Sequence, residues 1–514
     1  MSALSILRAV ALAAVASLLL FAPPARAEWR KATSEHFVIY GNTSEGSLRN
    51  YAQKVERFDR VLRTWFPPRD PDVIPPRLTI YLADGRADML KVWPDMPESV
   101  GGFYTAGEER IFAVTGGTGP ENDHTLFHEY GHHYMYQNLN GAFPGWFSEG
   151  FAEFFATADL SPSRMRIGLH SPGRMNSLTL GTNSWMPMEQ VLRSRSYDTG
   201  SRGHFYYAQS WALTHYLMST PERQAKLFLY LGAINSGRDP VEALAGTIDR
   251  TPDQLQDDVR RYVSGRINFL SQPYAFPPAD VTVTALSPAE GELIWLDLRL
   301  ARFVPEPLRA ANLAEAQGVA ARYPGDPFAA RVLAQAYLDM QQPNEAVEVM
   351  RPIAGAYPDE PLGQRFFAVT LMDAGDKAEE DGDPDRRQSL YSEARRALAR
   401  AYAADGLDYR TYLALNRNRR GASTYPSDND LEILRNGVDL APQVSALRYQ
   451  AAQAMMNRGQ FREAVFYLMP LANNPHGGDR LTEVRALLQQ AMEMAGMVPA
   501  AGQAEPEAAP APAS

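Results

Sequence analysis

The N-terminal part of the chain mixes strand and helix patterns of apolar and polar positions. His36–Tyr40 and Leu78–Leu82 are short runs of β-branched and aromatic residues, which is typical of strands. Between them, apolar residues recur every three or four positions, which predicts an amphipathic helix. Val100–Tyr104 and Arg110–Val114 flank a short polar turn and predict a hairpin.

The pattern then changes to helices. Asn122-Asp123 is a capping pair, so we expect a helix from there to about Leu139. Another helix is predicted at about 147–158, and more follow to about residue 270. Strands followed by helices favour an α+β domain, which we place at residues 28–275, with residues 276–304 as a linker.

Beyond residue 305 the chain shows paired helical patterns. Ala334, Tyr337, Ala346 and Pro358 occupy the small, aromatic, small and terminating positions of a 34-residue tetratricopeptide unit. Ala368 opens a second unit, and residues 403–441 form a degenerate copy at best. We predict an all-α tetratricopeptide-like region at 305–498, with unrelated helical hairpins as the alternative. The Ala/Pro-rich end, 499–514, is predicted to be disordered.

Charge and composition restrict the chemistry further. Lys and Arg total 50 against 60 Asp and Glu, a net charge of −10, and no basic run interrupts this balance. A nucleic-acid partner is therefore not expected. The chain contains no cysteine, so disulfides and thiolate ligands are excluded and any metal must be held by His, Asp or Glu.

The first 27 residues have the pattern of a signal peptide. Arg8 precedes an apolar run that is too short to span a bilayer, and Ala25-Arg26-Ala27 follows as a small-x-small cleavage motif. We expect export to a bacterial periplasm or beyond, with no transmembrane segment in the mature chain. An uncleaved N-terminal anchor is the alternative.

One motif carries the candidate chemistry. The sequence reads His128-Glu129-Tyr-Gly-His132, and histidines four residues apart stand on one face of a helix. Two imidazoles at this spacing bind one zinc ion, with the intervening glutamate beside the metal-bound water. His124 and His133 lie nearby and are interpreted as ordinary polar neighbours.

A catalytic zinc site needs a third protein ligand, and the next helix offers two carboxylates. Glu149 follows His132 by 17 residues, enough for a turn and a returning helix. Glu153 lies one turn later on the same face, where it can accept a hydrogen bond from a ligand histidine. A solvated surface carboxylate is the alternative for Glu153.

These segments resemble the gluzincin metallopeptidases. His128-Glu129-x-x-His132 followed by Trp-Phe-Ser-Glu149-Gly-Phe-Ala is similar to the motifs of zinc aminopeptidases, and the overall pattern is similar to the peptidase MA-like group. The resemblance implies a zincin-like domain with one Zn²⁺ per chain, held by His128, His132 and Glu149. Tyr207-Ala-Gln-Ser-Trp-Ala-Leu resembles the family segment whose tyrosine stabilises the oxyanion, which implies this role for Tyr207.

The expected activity is therefore peptide-bond hydrolysis by an exported zinc metallopeptidase. Zinc would polarise the scissile carbonyl and activate a water, and Glu129 would take the water's proton. Arg110–Val114 is a candidate strand for pairing with an extended peptide substrate, with a plain sheet strand as the alternative. The repeats would bind substrate or a partner protein in their groove, and a fragment ending near residue 275 is expected to keep zinc.

Two other functions fit the same motifs. The first is an inactive peptidase-like scaffold whose repeats mediate protein–protein interaction. The second is a zinc hydrolase that acts on a non-peptide amide, for example in the cell wall.

Overall fold

The chain is rich in helix, with a small mixed sheet near its N-terminus and a long helical region after it. The structure is a computed structural model that describes residues 28–497 apart from 69–74, 99, 140, 142, 181–183, 195, 303 and 475–479. The predicted signal peptide and the predicted tail lie outside the described residues. Over the described part of the chain, no helix is both long and apolar enough to cross a membrane.

The strands form one six-stranded and one three-stranded sheet. In chain order they are β1 Arg30–Thr33, β2 Phe37–Gly41, β3 Leu78–Leu82, β4 Gly102–Ala106, β5 Ile111–Thr115, β6 Asp159–Ser161, β7 Arg164–Ile167, β8 Leu270–Pro273 and β9 Thr282–Ala285. The larger sheet has the order β4-β5-β3-β2-β1-β9, and the smaller has the order β6-β7-β8. β2, β3 and β5 are parallel, whereas β4, β1 and β9 pair antiparallel with their neighbours.

The helices before residue 305 surround the larger sheet and extend beyond it. They are α1 Glu45–Trp65, α2 Arg86–Val92, α3 Pro120–Tyr134, α4 Gly145–Ala156, α5 Pro172–Leu180, α6 Met188–Arg193, α7 Gly203–Met218, α8 Pro221–Asn235, α9 Glu242–Thr247, α10 Pro252–Ser264 and α11 Pro288–Leu300. A π-helical turn, Met135–Leu139, continues α3, and a 3₁₀ segment, Ser196–Arg202, precedes α7.

The C-terminal region is a succession of helices that pack on their neighbours. They are α12 Glu306–Arg322, α13 Pro327–Asp339, α14 Pro343–Ala356, α15 Pro361–Glu380, α16 Pro384–Ala404, α17 Tyr409–Arg419, α18 Asp428–Leu440, α19 Ser445–Asn457, α20 Phe461–Ala472 and α21 Leu481–Met494. The small residues that indicated repeats, Ala334, Ala346 and Ala368, are all fully buried. The predicted degenerate copy also forms a helical pair, α17 and α18.

Apolar packing covers both faces of the larger sheet. On one face, Phe37, Ile39 and Ile80 pack against the amphipathic helix α1 and against α3. On the other face, Tyr81 and Phe112 belong to a separate cluster that is covered by α2 and α11. Because side chains alternate between the faces of a strand, β3 contributes to both cores.

The segment 276–304 differs from the predicted linker. Its strand β9 pairs with β1, from Arg30 opposite Ala285 to Thr33 opposite Thr282, and so completes the larger sheet. Its helix α11 buries Trp295 against Trp29 and Tyr81. The segment is therefore part of the N-terminal fold and connects it directly to the helices that follow.

The candidate substrate strand, Arg110–Val114, also differs from its predicted position. β5 covers most of this range and lies between β3 and β4, so both of its edges are occupied by sheet partners. A peptide cannot add to a strand that is paired on both sides. The edge of the sheet is formed by β4.

The helical region packs against the N-terminal fold instead of standing apart from it. Residues of α17 to α21 belong to the same apolar cluster as α1, α3 and α4. Polar contacts cross this junction as well: Gln137 Nε2 donates to the carbonyl of Leu440 at 3.0 Å, and the Tyr409 hydroxyl donates to the carbonyl of Gly107 at 3.1 Å. The two parts of the chain thus share one core.

Candidate metal centre

Two buried helices carry the motif residues. α3 begins at Pro120, two residues before the predicted cap, and Asn122 instead donates to the carbonyl of Gly116 at 3.2 Å. A β-carbon placed on Gly131 would lie 3.1 Å from the Cα of Ala152 on α4. Glycine at this position therefore lets the backbones of α3 and α4 approach closely.

The packing of these helices brings three donor atoms together. His128 Nε2 and His132 Nε2 lie 3.2 Å apart. Glu149 Oε2 lies 3.6 Å from the first of these nitrogens and 3.4 Å from the second. The Glu149 side chain is fully buried, and the two histidines are largely buried. One carboxylate and two imidazoles thus converge on one point.

These separations suit a tetrahedral zinc ion. Zinc–nitrogen and zinc–oxygen bonds of about 2.0–2.2 Å at tetrahedral angles put neighbouring ligand atoms roughly 3.3–3.6 Å apart. The three measured separations, 3.2, 3.4 and 3.6 Å, agree with that range. Two histidines and one glutamate are also the ligand set of catalytic zinc sites that keep a fourth position open. The donor set fits zinc in chemistry and in geometry.

Glu153 holds one of the histidines from the other side of its ring. Its Oε1 lies 3.2 Å from His128 Nδ1, and both of its oxygens accept hydrogen bonds from Arg174, at 2.6 and 3.0 Å. Burial disfavours the charged form of His128, but the hydrogen bond and charge of Glu153 outweigh it and raise the pKa of His128 to about 9. Burial likewise opposes the charge of Glu153, and His128 and Arg174 nevertheless hold its pKa below its usual range.

The second histidine is oriented by a hydroxyl. Ser148 Oγ lies 3.3 Å from His132 Nδ1, on the residue directly before Glu149. Tyr136, in the π-helical turn after α3, is close enough to interact with both Ser148 and Glu149, and burial raises its pKa above its usual range. The Tyr136 hydroxyl also contacts Asn474 of the helical region, at 3.3 Å.

Tyr207 joins the site through an arginine. It lies in the first turns of α7, and the Arg174 guanidinium stands 5.1 Å from the centre of its ring. Arg174, Ser148 and Tyr136 were not among the predicted site residues. Arg174 is 21 residues from Glu153 along the chain, so no helical spacing connects the two.

Gly150 has a different role from the expected one. The glycine after Glu149 is expected to let α3 approach, but it faces α7, where a β-carbon would collide with the Thr214 hydroxyl and the carbonyl of Ser210. Gly131 provides the contact between α3 and α4. Two glycines therefore set the spacing on opposite sides of α4.

Glu129 lies between the two histidines on α3 and is half-buried. Its charge acts on His128 and on Tyr104 of the edge strand β4. The Tyr104 hydroxyl lies 3.0 Å from His133 Nδ1, and burial together with Arg63 lowers the pKa of His133 to about 3. His133 is thus a neutral buried histidine, and neither it nor His124 belongs to the cluster of donor atoms.

A second group of possible ligands has a structural explanation. His36, Glu56 and Asp59 also lie close together. His36 occupies both oxygens of Glu56, at 2.8 and 2.9 Å, while Asp59 accepts from Tyr130 at 2.6 Å and from Arg63 at 2.7 Å. The carboxylates are therefore satisfied, and the arginine would oppose a cation there. Through Tyr130 this network fastens α3 to α1.

Comparisons with known proteins are informative over only part of the chain. Residues 122–242 match a family described as "Protein of unknown function (DUF1570)", a segment of less than a quarter of the chain that contains all the candidate site residues. The solved structure titled "Crystal structure of MamA" matches 37% of this chain and 99% of its own at 14% identity, with a TM-score of 0.25. A score of that size does not establish a shared fold. The search of curated proteins found no match.

Proposed function

We propose that this chain is an exported zinc metallopeptidase of the gluzincin type, with a zincin-like N-terminal domain. The observation that carries the proposal is the convergence of His128 Nε2, His132 Nε2 and Glu149 Oε2 at separations of 3.2–3.6 Å in a buried place. His128, His132 and Glu149 would hold one Zn²⁺ per chain. When bound there, zinc supplies a Lewis acid that polarises a carbonyl and lowers the pKa of water.

The remaining residues have separate tasks in this proposal. Glu129 is the general base, since it lies beside His128 with its carboxylate half-exposed, and it would receive a proton there and return it to the leaving amine. Glu153 and Ser148 orient the two histidines through their Nδ1 atoms. Tyr207 remains the proposed donor to the oxyanion, positioned by Arg174.

The sheet supports an extended peptide or protein as the substrate. β4 is the edge strand of the larger sheet, and it packs on α3, the helix that carries Glu129. A peptide that adds to this edge would use main-chain hydrogen bonds, which tolerate many sequences. Binding of a partner protein by the tetratricopeptide-like helices is part of the same proposal.

The test compares two glutamates on one helix in the purified mature protein. Glu129→Gln should retain stoichiometric zinc and lose peptide turnover by at least about 10²-fold, because a positioned base is removed. Glu121→Gln, an exposed glutamate in the first turn of α3, is the matched control and should leave both quantities unchanged.

Three outcomes would redirect the proposal. Full turnover by Glu129→Gln would remove the assigned mechanism. Zinc near one per chain without turnover on broad peptide libraries would favour the scaffold function. Cleavage of peptidoglycan fragments without cleavage of proteins would favour the hydrolase of a non-peptide amide.

A further inference from the structure

A cluster of buried arginines surrounds a small cavity where the sheet meets the helical region. The cavity measures about 20 Å³, and its lining includes Arg110 at the start of β5, Arg331 on α13, Arg365 on α15 and Arg410 on α17. It lies apart from the candidate metal centre, and none of its lining residues belongs to that site. A space of this size holds one particle about as large as a water molecule.

The fixed charges around the cavity do not balance. Asp297 of α11 pairs with Arg110 at 2.6 Å and with Arg331 at 2.9 Å. Asp408 pairs with Arg410 at 2.7 Å and lies 3.7 Å from Arg365, which also contacts the half-exposed Glu109 at 3.2 Å. Four arginines therefore face three carboxylates, and one positive charge is left over.

Two of the arginines also have donors without acceptors. Arg331 Nε and Arg365 Nε are buried and have no hydrogen-bond partner among the described residues. Arg331 is 7% exposed and Arg365 is 3% exposed, so water outside the fold does not satisfy them. Burial and the neighbouring Arg410 also lower the pKa of Arg365, as expected where cations crowd one another. A buried N–H group without an acceptor is costly, and a small acceptor in the cavity would remove that cost.

We propose that this cavity binds one small inorganic anion of the size of chloride. The anion would accept hydrogen bonds from the free Nε–H groups of Arg331 and Arg365 and neutralise the surplus charge. A neutral water could meet the hydrogen-bonding need but would leave the charge unbalanced. The room of about 20 Å³ excludes a bulky organic anion.

The position of the cavity predicts what the anion does. Its lining comes from the β4–β5 turn, from α11 and from three helices of the C-terminal region, so a bound anion links the sheet to those helices. Since the anion binds only the folded arrangement, its concentration should set part of the stability of the whole chain. This inference does not depend on the proposed metallopeptidase activity.

The test measures thermal unfolding of the mature full-length protein at constant ionic strength while chloride replaces gluconate. Gluconate is too large for the cavity and serves as the reference anion. The midpoint temperature should rise with chloride and then saturate, by on the order of 2 °C in total. A midpoint that does not change, or that changes without saturating, would overturn the proposal.

A pair of variants separates this site from general salt effects. Arg365→Gln removes the surplus charge and one of the free donors, so the chloride-dependent rise should disappear. Arg351→Gln is the matched control, because Arg351 pairs with Glu393 on the exposed surface of the same region and does not line the cavity. Its chloride-dependent rise should equal that of the parent protein.

A direct observation covers the case in which Arg365→Gln does not fold. Crystals of the parent protein grown in bromide should show an anomalous peak within hydrogen-bonding distance of Arg331 Nε and Arg365 Nε. A bromide-grown crystal with no anomalous peak in the cavity would refute the anion site.

Discussion

Glu149 and Glu153 are one helical turn apart, and the fold nevertheless gives them different partners. Glu149 presents Oε2 to the Nε2 atoms of both histidines, whereas Glu153 faces the opposite edge of His128 and is gripped by Arg174. Helical phase alone cannot make this distinction, because residues four apart share one face. The packing of α4 between α3 and α7 makes it.

Zinc stoichiometry after dialysis should separate the two carboxylates. Glu149→Ala removes a ligand and is expected to lose zinc at micromolar metal. Glu153→Ala only loosens His128, so zinc affinity or activity should fall by about 10–100-fold. Arg174→Gln should reproduce the Glu153→Ala result. Fully loaded Glu149→Ala beside metal-free Glu153→Ala would reverse the assignment.

At the residue scale, the sequence predicts what depends on local spacing. His128 and His132 share a helical face whatever surrounds them, so their convergence with each other follows from the four-residue interval. The place of Glu149 came from a family resemblance, and the structure brings it within 3.6 Å of both histidines. Ser148 and Arg174 reach the histidines or Glu153 only through tertiary packing, so sequence spacing contains no signal for Arg174.

Among the secondary-structure elements, α4 is held between two helices by glycines. Gly150→Ala should destabilise the protein by roughly 1–3 kcal/mol, the usual cost of overpacking, because its methyl group would meet the backbone of α7. Gly232→Ala on α8 makes the same substitution where no atom lies within 4 Å and should be neutral or slightly stabilising. Chemical denaturation of the two variants measures the difference; equal stabilities would show that α4 and α7 have room to separate.

The elements were predictable where their pattern is local. The strand pattern at Leu78–Leu82 and the helix before Pro67 are found close to the predicted positions. The pairing of β9 with β1 joins residues about 250 positions apart, and neither strand contains a sign of the other. The order of strands in the sheet is likewise a tertiary property, and for this reason β5 was taken as an edge.

At the scale of the whole molecule, the shared core changes the expected result of truncation. A fragment of residues 28–275 lacks β9 and α11, which complete the sheet and cover one of its faces. We expect it to be insoluble or to lack cooperative unfolding and zinc, whereas residues 28–497 should behave as the mature chain does. Circular dichroism, gel filtration and zinc content check this. A soluble 28–275 fragment with one zinc would show that the N-terminal part folds alone.

Asp297 links the sheet, α11 and α13, and it makes the junction sensitive to acid. Burial favours its neutral form, but Arg110 and Arg331 outweigh burial and hold the pKa of Asp297 well below its usual range. A carboxylate with a depressed pKa stabilises the fold above its unfolded pKa of about 3.9, and this stabilisation is lost as the pH falls through the folded value.

Asp297→Asn should therefore lower the free energy of unfolding at pH 7 by about 3–5 kcal/mol, since it leaves two arginines buried without their partner. The gap between the parent protein and this variant should narrow as the pH falls below about 4. Asp381→Asn removes an exposed partner of Lys377 and should change stability by less than about 1 kcal/mol at either pH. Denaturation at pH 7 and pH 3, with chloride held constant, measures all three proteins. If the gap stays constant between the two pH values, the charge of Asp297 does not hold the junction together.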